Sequence, residues 1–135
     1  MTMESNSHTE PPLVLRESRD GVVTLWLNRP GQFNALSEAM LGALHEALQQ
    51  AAADEAVRCV ILAGAGKAFC AGHDLREMRG HPDLAYYRSL FAQCSVVMQA
   101  IQALPVPVIA RVHGIATAAG CQLVAGCDLA VASTE

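Results

Sequence analysis

Apolar and polar residues alternate along residues 13–28, LVLRESRDGVVTLWLN, and this alternation predicts a pair of β-strands. Asp20 and Gly21 interrupt the pattern, and an Asp-Gly pair is the strongest short signal for a hairpin turn. In the second strand three apolar side chains fall on one face: Val23, Leu25 and Leu27. Because alternate side chains of a strand point to opposite faces, Val22, Thr24 and Trp26 fall on the other face.

Two longer segments then change to helical spacing of their apolar residues. Residues 37–53 form the first of them, with Ser37 suited to cap the helix. Residues 84–104 form the second, and Pro105 closes it because proline does not continue a helix. The pattern therefore predicts two amphipathic helices.

Short continuous apolar runs separate and follow these helices. Residues 58–64 (RCVILAG) and 106–112 (VPVIARV) are typical of buried strands. A further helix is expected from about Ala118, followed by a possible strand at residues 128–133 (DLAVAS). Strands that alternate with helices predict an α/β layered fold with mostly parallel pairing.

The pattern also sets the expected domain organisation. We predict a disordered lead-in over residues 1–11 and one domain over residues 12–135. The apparent last strand has no helix after it to cover its apolar face. We therefore expect the chain either to be a piece of a longer protein or to associate with other copies of itself.

Composition narrows the class of protein. The chain has 135 residues, is 52% hydrophobic and carries a net charge of −4. No basic block marks a nucleic-acid surface, and no apolar run reaches membrane-spanning length. The N-terminus lacks the basic start and apolar core of a signal peptide, and the five cysteines form no CxxC pair. We predict a cytoplasmic protein with no nucleic-acid or membrane partner.

The sequence contains no complete phosphate-binding, dinucleotide-binding or zinc-binding motif. The stretch GAGKAF has Ile61 where a phosphate-binding P-loop needs glycine, and Ala68 where it needs Ser or Thr. Phe69 stands where a dinucleotide fold needs its third glycine. A polar cluster lies nearby: His73, Asp74, Glu77 and His81. Its spacing matches no zinc motif, and we predict no metal site.

Two predicted strands each run into small residues, Ala71-Gly72 in one case and Ala118-Ala119-Gly120 in the other. Small side chains permit close approach of a ligand to the backbone, and a helix that starts near Ala119 would aim free N–H groups outward. Two such loops side by side could place two donors around one oxygen, as in an oxyanion hole. The alternative is that the small residues only let helix and strand pack closely.

Three ordered segments carry a resemblance to a known family. The segments are LNRPGQFNALS at 27–37, GAGKAFCAGHDLREM at 64–78 and HGIATAAGCQLVAGCDLAVAS at 113–133. They resemble the signatures of the enoyl-CoA hydratase/isomerase (crotonase) superfamily. The resemblance is also to members named enoyl-CoA hydratase domain proteins, which keep the fold and lack the hydratase glutamates.

The resemblance implies a crotonase-like spiral of ββα units, of which this chain would form the N-terminal part. It implies an acyl-CoA thioester as ligand, with coenzyme A as part of the substrate and no separate cofactor. It also implies a homotrimer or hexamer for the full-length protein.

Carried over by residue, the resemblance makes the backbone N–H groups of His73 and Ala119 the oxyanion donors. Gln122 stands where hydratases of the family have a glutamate, so we expect it to orient ligands without acid–base work. The substrate channel is expected to include Ala35, Ala68, Ala71, Gly72, Asp74, Leu75, Ala118 and Gly120. Arg29 or Lys67 is expected at a phosphate, the alternative being a solvated surface cation. The His73 imidazole is either an acid–base group or incidental.

The sequence is compatible with three functions. The first is an acyl-CoA enzyme of the family with weak or different chemistry. The second is a catalytically silent acyl-CoA-binding protein, and the third is a structural fragment of a longer crotonase without independent function.

Overall fold

A computed structural model describes residues 10–135. Five strands form one sheet in the order β1-β2-β3-β4-β5. The strands are β1 (Val14–Arg19), β2 (Val22–Leu27), β3 (Cys59–Gly64), β4 (Val108–Val112) and β5 (Leu129–Ala132). β1 and β2 pair antiparallel, and the three other pairs are parallel. The predicted hairpin, α/β class and mostly parallel pairing are therefore confirmed.

Four helices connect the strands: α1 (Glu38–Ala53), α2 (Leu75–Gly80), α3 (Leu84–Ala103) and α4 (Ala119–Gly126). The Ser37 hydroxyl caps α1 by accepting from the Met40 N–H, as its sequence position predicts. Asp74 and Asp83 cap α2 and α3 in the same manner. Sequence periodicity missed α2 and a short 3-10 turn at Pro30–Gln32, because neither is long enough to show a repeating apolar face.

The core lies between one face of the sheet and the pair of helices α1 and α3. Val23, Val60 and Val108 are neighbours across three strands and are at most 1% exposed. The buried residues that α1 contributes are Met40, Leu41, Leu44, Leu48 and Ala51. Leu25 and Leu27 of β2, on the same face as Val23, are fully buried as well. No helix among the described residues has the length and apolarity required to cross a membrane.

Burial falls towards the C-terminal strands. β4 was expected to be a buried strand, but only Val108 and Ala110 are buried and Arg111 is exposed. Its Arg111 guanidinium lies 4.7 Å from the centre of the Trp26 ring on the sheet face away from the helices. All four residues of β5 are exposed. The apolar run at residues 106–112 therefore marked β4 correctly but overstated its burial, whereas β5 is uncovered, as expected for a strand with no helix after it. The predicted lead-in lies largely outside the described residues, and Glu10 and Pro11 are exposed.

Candidate functional site

Two loops leave the carboxyl ends of neighbouring parallel strands, and they build the site. The first loop (residues 65–74) joins β3 to α2, and the second loop (residues 113–118) joins β4 to α4. Parallel strands end at the same edge of a sheet, so the loops start side by side. A parallel bridge pairs Cys70 of the first loop with Ala116 of the second. The two small-residue segments singled out in the sequence therefore do come together.

The first loop is fixed by a buried amide. The Asn34 side chain is fully buried, and its Nδ2 donates to the carbonyls of Ala65, Ala68 and Phe69 at 2.9–3.1 Å. Its Oδ1 accepts from the Arg29 N–H at 2.8 Å. A primary amide has two hydrogens, so the three carbonyls share them. Sequence reasoning missed Asn34, although it lies inside the first segment that resembles the family.

A second bridge sets the direction of the His73 backbone. Leu36 donates its N–H to the Gly72 carbonyl at 2.7 Å, and its own carbonyl accepts from the Asp74 N–H at 3.2 Å. In this parallel bridge the N–H of His73, between those two residues, points away from Leu36. It donates to no acceptor among residues 10–135.

The second loop is hydrogen-bonded to the first and packs against it. Ile115 accepts from the N–H groups of Phe69 and Cys70 at 2.9 and 3.1 Å, and Thr117 donates to the Cys70 carbonyl at 3.1 Å. Gly120 lies against the Cys70 carbonyl so closely that a side chain there would overlap it. Glycine at this position therefore allows the start of α4 to sit against the first loop.

Gly72 brings the first loop up to the start of α4. A Cβ at this position would lie 3.0 Å from the Ala118 Cβ and 3.3 Å from the Ala119 backbone nitrogen. The Gly72 φ is +93°, in the region that favours glycine. Two independent constraints, space and backbone conformation, therefore require glycine here.

Ala118 precedes α4 in an unusual conformation for alanine. Its φ is +51° and its ψ is −126°, a region that side-chain-bearing residues rarely adopt. The bend starts α4 at Ala119, whose N–H finds no acceptor in the described part of the chain. The N–H groups of Gly120, Cys121 and Gln122 are bonded to carbonyls of residues 117 and 118. The N–H of Ala119 is thus the free donor at this helix start.

A groove of about 860 Å³ opens where the two loops meet helices α3 and α4. The predicted donors His73 and Ala119 both line it, together with Ala118 and Gln122. The remaining lining residues come from α3 and α4: Phe91, Cys94, Ser95, Met98, Gln99, Gln102, Ala125 and Gly126. The structure therefore gathers the central residues of the predicted site into one cavity.

Other predicted channel residues lie around the groove without lining it. Ala68, Gly72 and Gly120 are buried behind it, Ala35 and Ala71 are half-buried, and Leu75 is 69% exposed on α2. These residues shape the loops, and their role at a ligand remains a prediction.

The two candidate phosphate contacts have different surroundings. Arg29 Nη1 lies 2.8 Å from Asp74 Oδ2, and this partner holds the pKa of the Asp74 carboxyl below its usual value. Lys67 is exposed and lines a separate cavity of about 480 Å³ with His113. Arg29 is thus engaged in bracing the first loop, while Lys67 reaches a different surface.

The polar cluster considered as a metal site is dispersed by the fold. Asp74 caps α2, and the Glu77 carboxylate accepts from the Glu38 N–H at 2.8 Å. The His81 ring stacks on Tyr86 with ring centres 4.5 Å apart. Within residues 10–135 no three side chains of the ligating types come together around one point.

A family model and several curated proteins match this chain over most of its length. A family model described as "Enoyl-CoA hydratase/isomerase" matches residues 17–135. The rat "Enoyl-CoA hydratase domain-containing protein 3, mitochondrial" is 44% identical over 94% of this chain and 42% of its own length. The "1,2-epoxyphenylacetyl-CoA isomerase" of Escherichia coli (strain K12) is 37% identical over 89% of this chain and 47% of its own.

Solved structures agree with the sequence relatives. An enoyl-CoA hydratase structure from Mycobacterium smegmatis is 69% identical with a TM-score of 0.88, covering 90% of this chain and 48% of that one. Human enoyl Coenzyme A hydratase domain-containing protein 3 is 42% identical with a TM-score of 0.84, covering 89% and 47%. The chain spans about half the length of the relatives it matches. Its fold is therefore part of the crotonase fold, and the chain belongs to the enoyl-CoA hydratase/isomerase family.

Proposed function

We propose that this chain binds an acyl-CoA thioester and holds the thioester oxygen between the backbone N–H groups of His73 and Ala119. One observation carries the proposal: both N–H groups lack an acceptor among residues 10–135, and both residues line one groove. Two donors aimed at one oxygen stabilise the negative charge that develops there when an enolate forms. Coenzyme A is part of this substrate, and the proposal needs no separate cofactor.

The small residues around the donors support this role. Gly72, Ala118 and Gly120 leave space for a carbonyl to approach the backbone, and Ala119 itself adds only a methyl group. The positive end of the α4 dipole lies at Ala119, which favours an oxygen that carries negative charge. A backbone donor does not depend on its side chain, so histidine at position 73 is compatible with the same function.

Gln122 restricts the chemistry. Hydration of an enoyl thioester needs a base for the water and an acid for the α-carbon. A side-chain amide neither gives nor takes a proton at neutral pH, although it hydrogen-bonds water well. We therefore propose weak or different chemistry on acyl-CoA, in which Gln122 orients a water or the substrate.

The names of the relatives fit this substrate class. One is a CoA-thioester isomerase, and another, from Rhizobium meliloti (strain 1021), is named "Probable enoyl-CoA hydratase". Gln122 also favours a second candidate function, a catalytically silent acyl-CoA-binding protein. The third alternative, a structural fragment without function of its own, would bind no acyl-CoA.

Contacts beyond the groove complete the proposal. Because Arg29 is already paired with Asp74, Lys67 is the better candidate to meet a phosphate of coenzyme A. We propose a homotrimer or hexamer for the full-length protein. A cytoplasmic location remains our prediction, while the vertebrate relatives carry the word "mitochondrial" in their own names.

Removing one donor tests the proposal. Ala119 is the first residue of α4, where proline is well tolerated, so Ala119→Pro deletes the N–H with little cost to the helix. Ala118→Gly in the same chain gives the preceding residue the freedom it needs before proline. Titration calorimetry with acetyl-CoA compares the wild type, Ala118→Gly and the double variant.

We expect the wild type and Ala118→Gly to bind equally. The double variant should bind about tenfold to a hundredfold more weakly, since loss of one of two hydrogen bonds to a buried carbonyl costs roughly 1–3 kcal/mol. Equal affinity of all three proteins would overturn the placement of the thioester oxygen. Absence of binding by the wild type would favour the structural-fragment alternative.

A further inference from the structure

The groove contains few side chains that titrate. Of the described residues that line it, His73 and Cys94 are the two with a titratable side chain, and no carboxylate is among them. Cys94 is 5% exposed, and burial raises the pKa of its thiol. Gln122 does not titrate. A proton moved inside this groove by the described chain therefore has one well-suited carrier, the His73 imidazole.

The two ring nitrogens of His73 have different environments. Nδ1 is buried and makes no hydrogen bond among residues 10–135. Since His73 lines the groove, this leaves Nε2 as the nitrogen that a ligand in the groove would reach. The ring lies against Phe91, with ring centres 5.3 Å apart at 66°, so packing holds its orientation. When the hydrogen is on Nδ1, the Nε2 lone pair is free to accept a proton from a ligand in the groove.

The ring and the proposed oxyanion donor belong to one residue. A thioester oxygen bound to the His73 N–H is within one side-chain length of the imidazole. His73 lines the groove, so an acyl-CoA bound at that N–H would share the groove with the ring. Proximity of this kind is what general-base catalysis requires.

We propose that His73 Nε2 is the general base that removes the α-proton of the bound acyl-CoA, an inference that rests on the proposed function. The C–H bond breaks and an N–H bond forms, and the electron pair of the C–H bond becomes the C=C bond of the enolate. The carbonyl π pair moves to the oxygen held by the N–H groups of His73 and Ala119. The imidazolium exchanges this proton with solvent water and then returns one to the same carbon, which re-forms the C–H bond and the neutral ring, so the net result is α-proton exchange with solvent.

The charges around the ring favour this base. Burial lowers the pKa of His73 from its ordinary value of 6.5, more than a polar contact with the Leu36 backbone raises it, which favours the neutral ring that accepts a proton. Asp74, the next residue, is paired with Arg29. α3 presents Cys94 to the groove, and the part of α4 that lines the groove presents no titratable side chain.

Deuterium exchange tests the inference. Butyryl-CoA is incubated with the protein in D₂O, and deuterium at its α-carbon is measured by mass spectrometry, with affinity measured in parallel by calorimetry. His73→Ala keeps the backbone N–H and removes the base. His45→Ala, on α1 and outside the groove, is the matched histidine control.

We expect His73→Ala to lose about 10²–10⁴-fold in exchange rate while its affinity for butyryl-CoA changes little. Added free imidazole should restore part of the exchange in His73→Ala, and His45→Ala should exchange like the wild type. The wild-type rate should rise with pH and level off below the ordinary histidine pKa of 6.5, since the neutral ring is the active form.

Other outcomes separate the inference from the proposed function. Binding without exchange in the wild type overturns the role of His73 and leaves the binding function intact. Exchange unchanged in His73→Ala, or levelling off only in the alkaline range where Cys94 titrates, also overturns it. Failure of the wild type to bind butyryl-CoA would count against the proposed function itself.

Discussion

The first and second loops each bring a residue of positive φ to the same groove, but they are supported differently. Gly72 in the first loop has a φ of +93°, and Ala118 in the second has a φ of +51°. The first loop is tied by Asn34 and Leu36 to the segment before α1. The second loop is tied mainly to the first, through Cys70 and Gly120. The first loop is therefore the scaffold on which the second rests.

This difference has a consequence for mutation. Damage to the first loop should reach both oxyanion donors, because Ala119 is positioned through contacts with it. Damage at Ala118 should remain local to the start of α4. Alanine at position 118 also carries backbone strain of about 1–3 kcal/mol, which a packed scaffold can sustain.

Gly72→Val should have the largest effect, because it breaks the scaffold at its contact with the second loop. Its Cβ would press on the Ala118 side chain and the Thr117 carbonyl, and valine disfavours a φ of +93°. We expect acetyl-CoA binding by calorimetry to be abolished. Gly80→Val, at a position with no atom within 4 Å, should bind normally. Undiminished affinity in Gly72→Val would show that the loops need not touch.

Gln122→Glu tests the chemistry that the start of α4 contributes to the groove. The change hardly alters volume and adds a titratable group, so hydration of crotonyl-CoA by the full-length protein should rise by about 10²-fold or more if a second carboxylate there supplies the other proton. Gln99→Glu places the same charge in the groove from α3 and should leave hydration unchanged. Wild-type turnover at roughly 1–10³ per second would contradict the role given to Gln122.

Asn34→Ala removes the hydrogen bonds that fasten the first loop and leaves the sequence of the second loop unchanged. Three carbonyls and the Arg29 N–H lose their buried partner, which should lower the free energy of unfolding by roughly 2–4 kcal/mol. Urea denaturation measures the change. Gln32→Ala, exposed in the same segment, is the control and should be near neutral. If Asn34→Ala lowers the free energy of unfolding by less than about 0.5 kcal/mol, as an ordinary surface substitution does, Asn34 does not hold the first loop in place.

Ala118→Gly should have the smallest effect and the opposite sign. Relief of strain at a φ of +51° outweighs the entropy that glycine loses, giving a gain of about 1 kcal/mol. Ala92→Gly, exposed within α3, should instead lose about 1 kcal/mol. Thermal unfolding of the pair checks the sign. Destabilisation by both substitutions would mean that the second loop is not strained at Ala118.

The main strands and helices, and the approach of the two loops, are predictable from the sequence. The period-two pattern of β2 and the helical spacing of α1 and α3 specify these elements, because each buries one continuous apolar face. Small residues at 72 and 118–120 indicated the close approach of two loops. The resemblance to the family added the residues expected to face a thioester.

Other features depend on tertiary contacts that leave no local pattern. Asn34 reads as an ordinary turn residue, and its three carbonyl partners lie more than 30 positions away. The pairing of Arg29 with Asp74 spans 45 positions and could not be read from charge alone. The partial exposure of β4 depends on what covers the sheet, which an apolar run does not specify.

The central claim is that a thioester carbonyl accepts from the N–H groups of His73 and Ala119. Difference infrared spectroscopy with acetyl-CoA labelled with ¹³C at the carbonyl measures this directly. Two hydrogen bonds weaken a C=O bond, so the carbonyl stretch should move to lower frequency on binding. The shift should persist in Ala118→Gly and shrink in Ala118→Gly/Ala119→Pro. A carbonyl stretch that binding leaves at its solution frequency would contradict the account.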